Sequence, residues 1–124
     1  MRVKIDTKEI FHVISIEEPQ LTAIMAEELE ELVKNQLQSE GKSVILDMHL
    51  VDQADATIAV LLNKLHEWVY GSGRSFVICC INQSLRKTFE LAGVFDSLNI
   101  TPTDSEAWDI VQMEEIEREL GMDF

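Results

Sequence analysis

The chain has 124 residues, of which 46% are apolar and 27% charged, values typical of a globular domain with its own core and unlike those of a disordered chain. Ten Lys and Arg residues face 23 Asp and Glu residues, which gives a formal net charge of −13 at pH 7. Nucleic acids and anionic membrane surfaces bind proteins mainly through Lys and Arg, so we expect neither as a partner. The charge favours a protein partner with a basic surface.

The first third of the chain predicts a hairpin followed by a helix. Apolar and polar residues alternate over 2–6, and apolar residues dominate 10–16, which predicts two strands joined by a three-residue turn. Apolar side chains recur at three- and four-residue steps over 20–39, which predicts a helix between Pro19 and Gly41. We interpret the many glutamates of this helix as a solvated face.

The central part of the chain predicts a strand, a helix and a second strand. The short apolar run 44–46 predicts a buried strand that ends near Met48. Helical spacing over 56–70 predicts a helix with Asp55 as its N-cap. The run 76–81 is apolar on both faces, which is typical of a central strand.

The last third predicts a short helix over 84–92, capped by Asn82 or Ser84, a short strand over 97–101 and a helix over 104–119. A capping-box sequence precedes this last helix. Alternating strands and helices predict an α/β fold with a mostly parallel sheet of four or five strands and packed helices. We expect one domain over residues 1–124.

Signals for catalysis are weak in this sequence. The three histidines lack metal-ligand spacing, and there is no glycine-rich phosphate loop. We interpret the acidic pairs Glu17-Glu18 and Glu114-Glu115 as solvated charge. We therefore expect no catalytic residue, no cofactor and no metal, and we predict that the chain is not an enzyme.

The two cysteines, Cys79 and Cys80, are adjacent in the predicted strand 76–81. Successive strand residues point to opposite faces, so we expect these thiols neither to bridge each other nor to share a metal, and to be small buried residues. No disulfide framework is visible, which favours a reducing compartment. The sequence shows no signal-peptide pattern and no apolar segment of about 20 residues, so we expect a cytoplasmic protein.

Asp55, Ala56 and Thr57 are predicted to lie at the turn between a strand and a helix. Free backbone amides at a helix N-terminus suit an anion or a carboxylate of a partner. The alternative interpretation of this segment is ordinary capping by Asp55.

The order of elements and these local residues resemble the STAS domain, the fold of bacterial anti-sigma factor antagonists, over about residues 10–111. Residues 45–48 are similar to the family's strand before the regulatory turn, and Asp55 corresponds to the Asp of its Asp-Ser-Ser-Gly or Asp-Ser-Thr-Gly motif. Gly73-Arg74 is similar to the turn into the next strand, and residues 85–95 resemble the short helix that follows.

The resemblance implies a surface that binds a protein partner through Asp55, Ala56 and Thr57. The implied partner is an anti-sigma factor or a serine kinase-like regulator in partner-switching control. Ala56 replaces the Ser that accepts phosphate in phosphorylated family members, and Ile58 replaces the motif glycine. Either binding is constitutive, or Thr57 is the modified residue, or regulation lies elsewhere. The alternative is a STAS-like subunit of a lipid-transport or sensory assembly; oligomeric state stays open.

Overall fold

Strands and helices alternate along residues 1–121, the part of the chain that the computed structural model describes. Short 3₁₀ turns at Ala23–Met25 and Phe95–Ser97 link some of them. No helix of this part is both long and apolar enough to cross a membrane. The elements are β1 Val3–Thr7, β2 Phe11–Ile16, β3 Gln20–Leu21, α1 Ala26–Glu40, β4 Ser43–Asp47, β5 Gln53–Ala54, α2 Ala56–Gly71, β6 Phe76–Cys79, α3 Gln83–Leu91, β7 Ile100–Thr101 and α4 Asp104–Glu119.

Five strands form the main sheet, in the order β1-β2-β4-β6-β7. The β1–β2 hairpin is antiparallel, and every other pair in this sheet is parallel. Parallel neighbours need crossover helices, which cover the faces of the sheet and make its central strands apolar on both sides. The predicted α/β fold with a mostly parallel sheet is confirmed.

The sheet separates two apolar cores. Successive side chains of a strand point to opposite faces, so Leu46 and Ile78 face a larger core that also holds buried residues of α1, α2 and α3. Ile45 and Val77 face a smaller core, which α4 covers with Ala107 among its buried residues. Three helices therefore contribute to the core on one face of the sheet and one helix to the core on the other.

The N-terminal helix begins later than its apolar spacing predicts. The prediction was a helix over 20–39, whereas Gln20–Leu21 pairs with Gln53–Ala54 in a separate two-stranded parallel sheet. Leu21 is buried in the larger core. Pairing with a distant segment and burial of Leu21 override the local helical pattern, as tertiary contacts commonly do. The predicted strand over 97–101 is likewise shorter, with only Ile100–Thr101 paired in the sheet.

The ends of α1, α3 and α4 follow the predicted capping chemistry. The Asn82 side chain accepts a hydrogen bond from the amide of Leu85 at 2.8 Å. The Thr103 hydroxyl accepts one from the amide of Glu106 at 3.3 Å. Gly41 ends α1 in the left-handed conformation, at φ 66°. Among the two candidates at the start of α3, the capping residue is thus Asn82.

The prediction that Glu114 and Glu115 are merely solvated charge is wrong. Glu114 Oε1 accepts hydrogen bonds from the Tyr70 hydroxyl, at 2.8 Å, and from the Ser75 hydroxyl. Glu115 Oε1 accepts one from the Ser43 hydroxyl at 2.6 Å. These partners belong to α2 and to the amino-terminal ends of β4 and β6, so the acidic pair fastens α4 to the sheet.

Candidate partner-binding site

Three consecutive exposed residues mark the turn from β5 into α2: Asp55 at the N-cap position, and Ala56 and Thr57 at the start of the helix. The next two residues, Ile58 and Ala59, are fully buried in the larger core. Burial of these two side chains fixes the first turn of the helix, while the preceding residues stay in contact with solvent. The exposed segment is therefore held in position by the core beneath it.

Asp55 has the backbone conformation of an N-cap, with φ −73° and ψ 156°, but its side chain makes no capping hydrogen bond to α2. Its Oδ2 atom instead accepts a hydrogen bond from the amide of Ala23 at 2.8 Å. Its own amide donates to the carbonyl oxygen of Leu21 at 2.9 Å. The prediction that the Asp55 side chain caps α2 is wrong. Ala23 begins a 3₁₀ turn, whose first amides also lack partners within the turn, and the Asp55 carboxylate bonds to one of these amides instead.

Two exposed apolar side chains flank this turn. Val60 is 56% exposed and lies three residues after Thr57, on the same face of α2. Ile24 is 93% exposed and follows Ala23, the residue whose amide Asp55 binds. Each of these exposed apolar side chains thus lies next to a residue of this turn or next to a residue bonded to it. We call Ile24, Asp55, Ala56, Thr57 and Val60 the α2 surface.

Hydrogen bonds hold the loop that leads to this surface. The carbonyl oxygen of Pro19 accepts from the amides of Asp52, at 2.7 Å, and Gln53, at 3.1 Å. The side-chain amide of Asn82 donates to the carbonyl oxygen of Asp52 at 3.1 Å. Three distant parts of the chain thus meet at one loop. Ile24 was not predicted as a site residue, because the helical spacing over 20–39 concealed the turn that exposes it.

The prediction that the two cysteines point to opposite faces is wrong. Strand β6 ends at Cys79, and Cys80 takes a positive φ of 65°, so the alternation of side chains stops there. Both residues contact the smaller core. The two sulfur atoms and a carboxylate oxygen of Asp47 all lie within 4.8 Å of one another. A cluster of three potential metal ligands therefore lies where the sequence predicted none.

The histidines occupy separate places in the fold. His12 is buried in β2, with its Nδ1 atom 3.0 Å from the Thr7 hydroxyl. His66 lies in α2, with its ring 4.6 Å from that of Tyr70, and burial lowers the pKa of both His12 and His66. His49 is exposed and contacts Asp47. Buried His12 and half-buried His66 both serve packing.

Comparison with known protein families supplies the identity of the fold. A family model described as STAS domain matches residues 2–107. The chain belongs to the STAS domain family. The match includes β1 to β7 and the whole α2 surface. A search among curated proteins finds no significant match.

Solved structures show the same STAS fold at low sequence identity. An anti-sigma factor antagonist from Mycobacterium paratuberculosis is 15% identical, with a TM-score of 0.78 over 90% of this chain and 93% of that one. The unphosphorylated antagonist SpoIIAA is 14% identical, with a TM-score of 0.69 over 99% and 100%. A structure from the stressosome, a signal integration and transduction hub, is 20% identical, with a TM-score of 0.68 over 88% of this chain and 96% of that one. At these identities the likeness establishes the fold alone.

Proposed function

We propose that this STAS domain is a cytoplasmic, non-enzymatic regulatory module that docks its α2 surface on an anti-sigma factor or a serine kinase-like regulator. In this proposal residues 1–124 form a single STAS-like unit that takes part in partner-switching control of transcription. The observation that carries it is the exposed turn Asp55–Thr57 with Ile24 and Val60 beside it. The exposed apolar side chains supply area to bury, and the free amides of the first turn supply donors.

The electrostatics of the chain support a basic partner. The net charge is −13, which accelerates association with a positively charged surface and slows association with acidic ones. Asp55 is exposed at the α2 surface, although its Oδ2 atom is already bonded to Ala23. We therefore infer that Asp55 positions the turn, and that the apolar side chains of Ile24 and Val60 supply most of the binding free energy.

Ala56 sets the regulatory state in this proposal. A phosphate adds about −1.5 to −2 charge at neutral pH, and such charge disrupts a docked surface through desolvation and repulsion. Ala56 has no hydroxyl to accept phosphate, so a site at this position stays uncharged and binding is constitutive. Phosphorylation of Thr57, whose side chain is also exposed, is the alternative regulatory route.

The experiment starts from the partner. The full chain is immobilised, proteins retained from an extract of its native host are identified by mass spectrometry, and the strongest partner is purified for calorimetry. We expect Ala56→Asp to weaken binding at least about tenfold, which corresponds to about 1.4 kcal/mol. The matched control is Ser105→Asp, which adds the same charge at an exposed position in the first turn of α4. Equal affinities of wild type and Ala56→Asp would place the interface elsewhere.

Membership of a sensory assembly is the second candidate, because one structural neighbour is a stressosome. In that case the retained material would be a large particle with many copies of a STAS protein. Its mass, measured by light scattering, separates this outcome from a complex with one regulator. Incubating Thr57→Ala and wild type with a retained kinase then shows by mass spectrometry whether residue 57 takes phosphate.

A further inference from the structure

The cluster of Asp47, Cys79 and Cys80 lies at the carboxyl ends of two neighbouring parallel strands. Asp47 ends β4 and is the register partner of Cys79, which ends β6. Their ligand atoms and the sulfur of Cys80 lie within 4.8 Å of one another. In open α/β sheets, ligands bind at the carboxyl ends of the strands. The position is independent of the α2 surface and of the proposed function.

The backbone of Cys80 is in a conformation that cysteine rarely adopts. Its φ of 65° lies in the left-handed region, where contacts of Cβ raise the energy of residues other than glycine. The Cys80 amide donates to the carbonyl oxygen of Thr101 at 3.2 Å, which holds the residue in place. Strained residues of this kind concentrate at functional sites. Here the strained residue carries a thiol that meets the thiol of its neighbour.

The donor set fits a thiophilic divalent cation. We propose that Cys79, Cys80 and Asp47 bind Zn²⁺, with a water molecule as the fourth ligand. Tetrahedral bonds of about 2.0 to 2.3 Å place ligand atoms about 3.5 to 3.8 Å apart, so closure of the cluster needs each pair of ligand atoms to approach by about 1.3 Å or less. Two sulfur ligands select zinc over magnesium and calcium, which take oxygen ligands.

A second layer of contacts orients the carboxylate. His49 approaches Asp47 Oδ1 with its Nδ1 atom at 2.9 Å and donates its backbone amide to the same oxygen at 3.0 Å. Bonds of this type fix a ligating carboxylate and leave its other oxygen free for the metal. The Asp47 side chain is 13% exposed, so the site is accessible from solvent on one side.

Binding exchanges protons for the metal. Burial raises the pKa of both thiols, and the negative charges of Asp47 and Asp104 raise them further. Without metal both cysteines are therefore protonated at neutral pH. Zn²⁺ forms two sulfur–zinc bonds as two S–H bonds break, and both protons leave to buffer. The same carboxylates that disfavour a bare thiolate favour a cation in the cluster.

The test uses the full chain, reduced and freed of metal. Co²⁺ is added first, and we expect thiolate-to-cobalt charge-transfer absorption together with the visible bands of tetrahedral cobalt, saturating at one ion per chain. Zn²⁺ should then abolish these bands by displacement. Calorimetry of Zn²⁺ binding in buffers of different ionisation enthalpy should report a net release of protons.

Three variants make the result specific to this cluster. Cys80→Gly removes one sulfur and suits the positive φ, so it should keep the fold by circular dichroism and weaken Zn²⁺ binding at least about 100-fold. His49→Gln should weaken it about 10- to 100-fold, the range for groups that orient a ligand. Glu90→Gln, which removes an exposed carboxylate of α3, should bind as wild type does.

Two results would overturn the zinc proposal. One is a reduced wild-type chain, with both thiols shown to be free by mass spectrometry, that shows no charge-transfer absorption with cobalt. The other is a folded Cys80→Gly variant that binds Zn²⁺ as tightly as wild type, which would assign the bound ion to surface carboxylates.

Discussion

The carboxylate of Asp55 accepts a hydrogen bond from the backbone amide of Ala23 at 2.8 Å. The two residues are 32 positions apart, and their contact joins the start of α2 to the turn before α1. The Asp55 carboxylate is thus one of several contacts that position Ile24 beside Ala56 and Thr57, together with the bond from the Asp55 amide to Leu21 and the pairing of β3 with β5.

Asp55→Ala should lower the free energy of unfolding by about 1 kcal/mol, because the Ala23 amide loses its acceptor at a solvent-exposed site. Urea unfolding followed by circular dichroism measures the change. Asp52→Ala removes a carboxylate from the same exposed loop and should change stability by less than about 0.5 kcal/mol. Equal effects of the two substitutions would show that the Asp55–Ala23 bond adds nothing to stability.

Ile24→Ser should weaken binding of the partner while leaving stability within about 0.5 kcal/mol, since the side chain is 93% exposed. Loss of an apolar side chain from a docking surface removes area that the partner would bury. Met113→Ser is the control, because Met113 is 58% exposed on α4. Calorimetry with the purified partner compares them, and a larger loss from Met113→Ser would move the interface to α4.

Phe89→Ala should destabilise the chain by about 3 to 5 kcal/mol, because it leaves a cavity where a fully buried ring joins α3 to the larger core. Leu91→Ala, two residues later on the same helix, truncates a side chain that is 78% exposed. Its effect should stay below about 0.5 kcal/mol. Urea midpoints of the two variants check the assignment of inner and outer faces of α3; similar midpoints would contradict it.

Tyr70 should ionise far above the usual range for tyrosine. Burial, with a hydrogen bond from its hydroxyl to Glu114, raises its pKa to about 12. The folded state holds this proton more tightly than the unfolded state. The stability that the protonated Tyr70 hydroxyl contributes is therefore complete below pH 10 and is lost as the pH rises towards 12. Tyr70 is the single tyrosine of the chain, so tyrosinate absorbance reports it alone. Titration near pH 10 would contradict the buried hydroxyl.

Mild acid should destabilise the fold through buried His12 and half-buried His66. Burial lowers the pKa of His12 and His66 below the usual 6.5, so the unfolded state binds more protons than the folded state in this window. The stability that the two uncharged rings contribute is therefore complete above pH 6.5 and declines as the pH falls below 6.5. The negative charge of Glu40 raises the pKa of His12, and the positive charge of Lys42 lowers it. Urea unfolding of His12→Gln across this range should give a shallower pH dependence, whereas an unchanged slope would exclude His12.

The alternation of strands and helices was predictable from the sequence, and so were a cap of α3 at Asn82 or Ser84 and the position of Asp55 before α2. These features depend on local periodicity and on hydrogen bonds between residues close in the chain. The family match agrees with the resemblance seen in the turn around Asp55 and in residues 85–95. The absence of a hydroxyl at residue 56 is also read directly from the sequence, since alanine has none.

Tertiary structure alone decided the contacts that join distant segments. Pairing of β3 with β5 shortened the predicted helix and exposed Ile24, and the carboxylate of Asp55 bonded to Ala23 instead of capping its own helix. Strand periodicity had predicted that the two thiols lie on opposite faces of the sheet. Because β6 ends at Cys79, both thiols instead lie near Asp47. Local patterns specify which elements form, but a side chain's partner depends on which segment lies across from it. That choice is made by the packing of the whole chain, where pairing and burial of distant residues outweigh the propensity of a single segment.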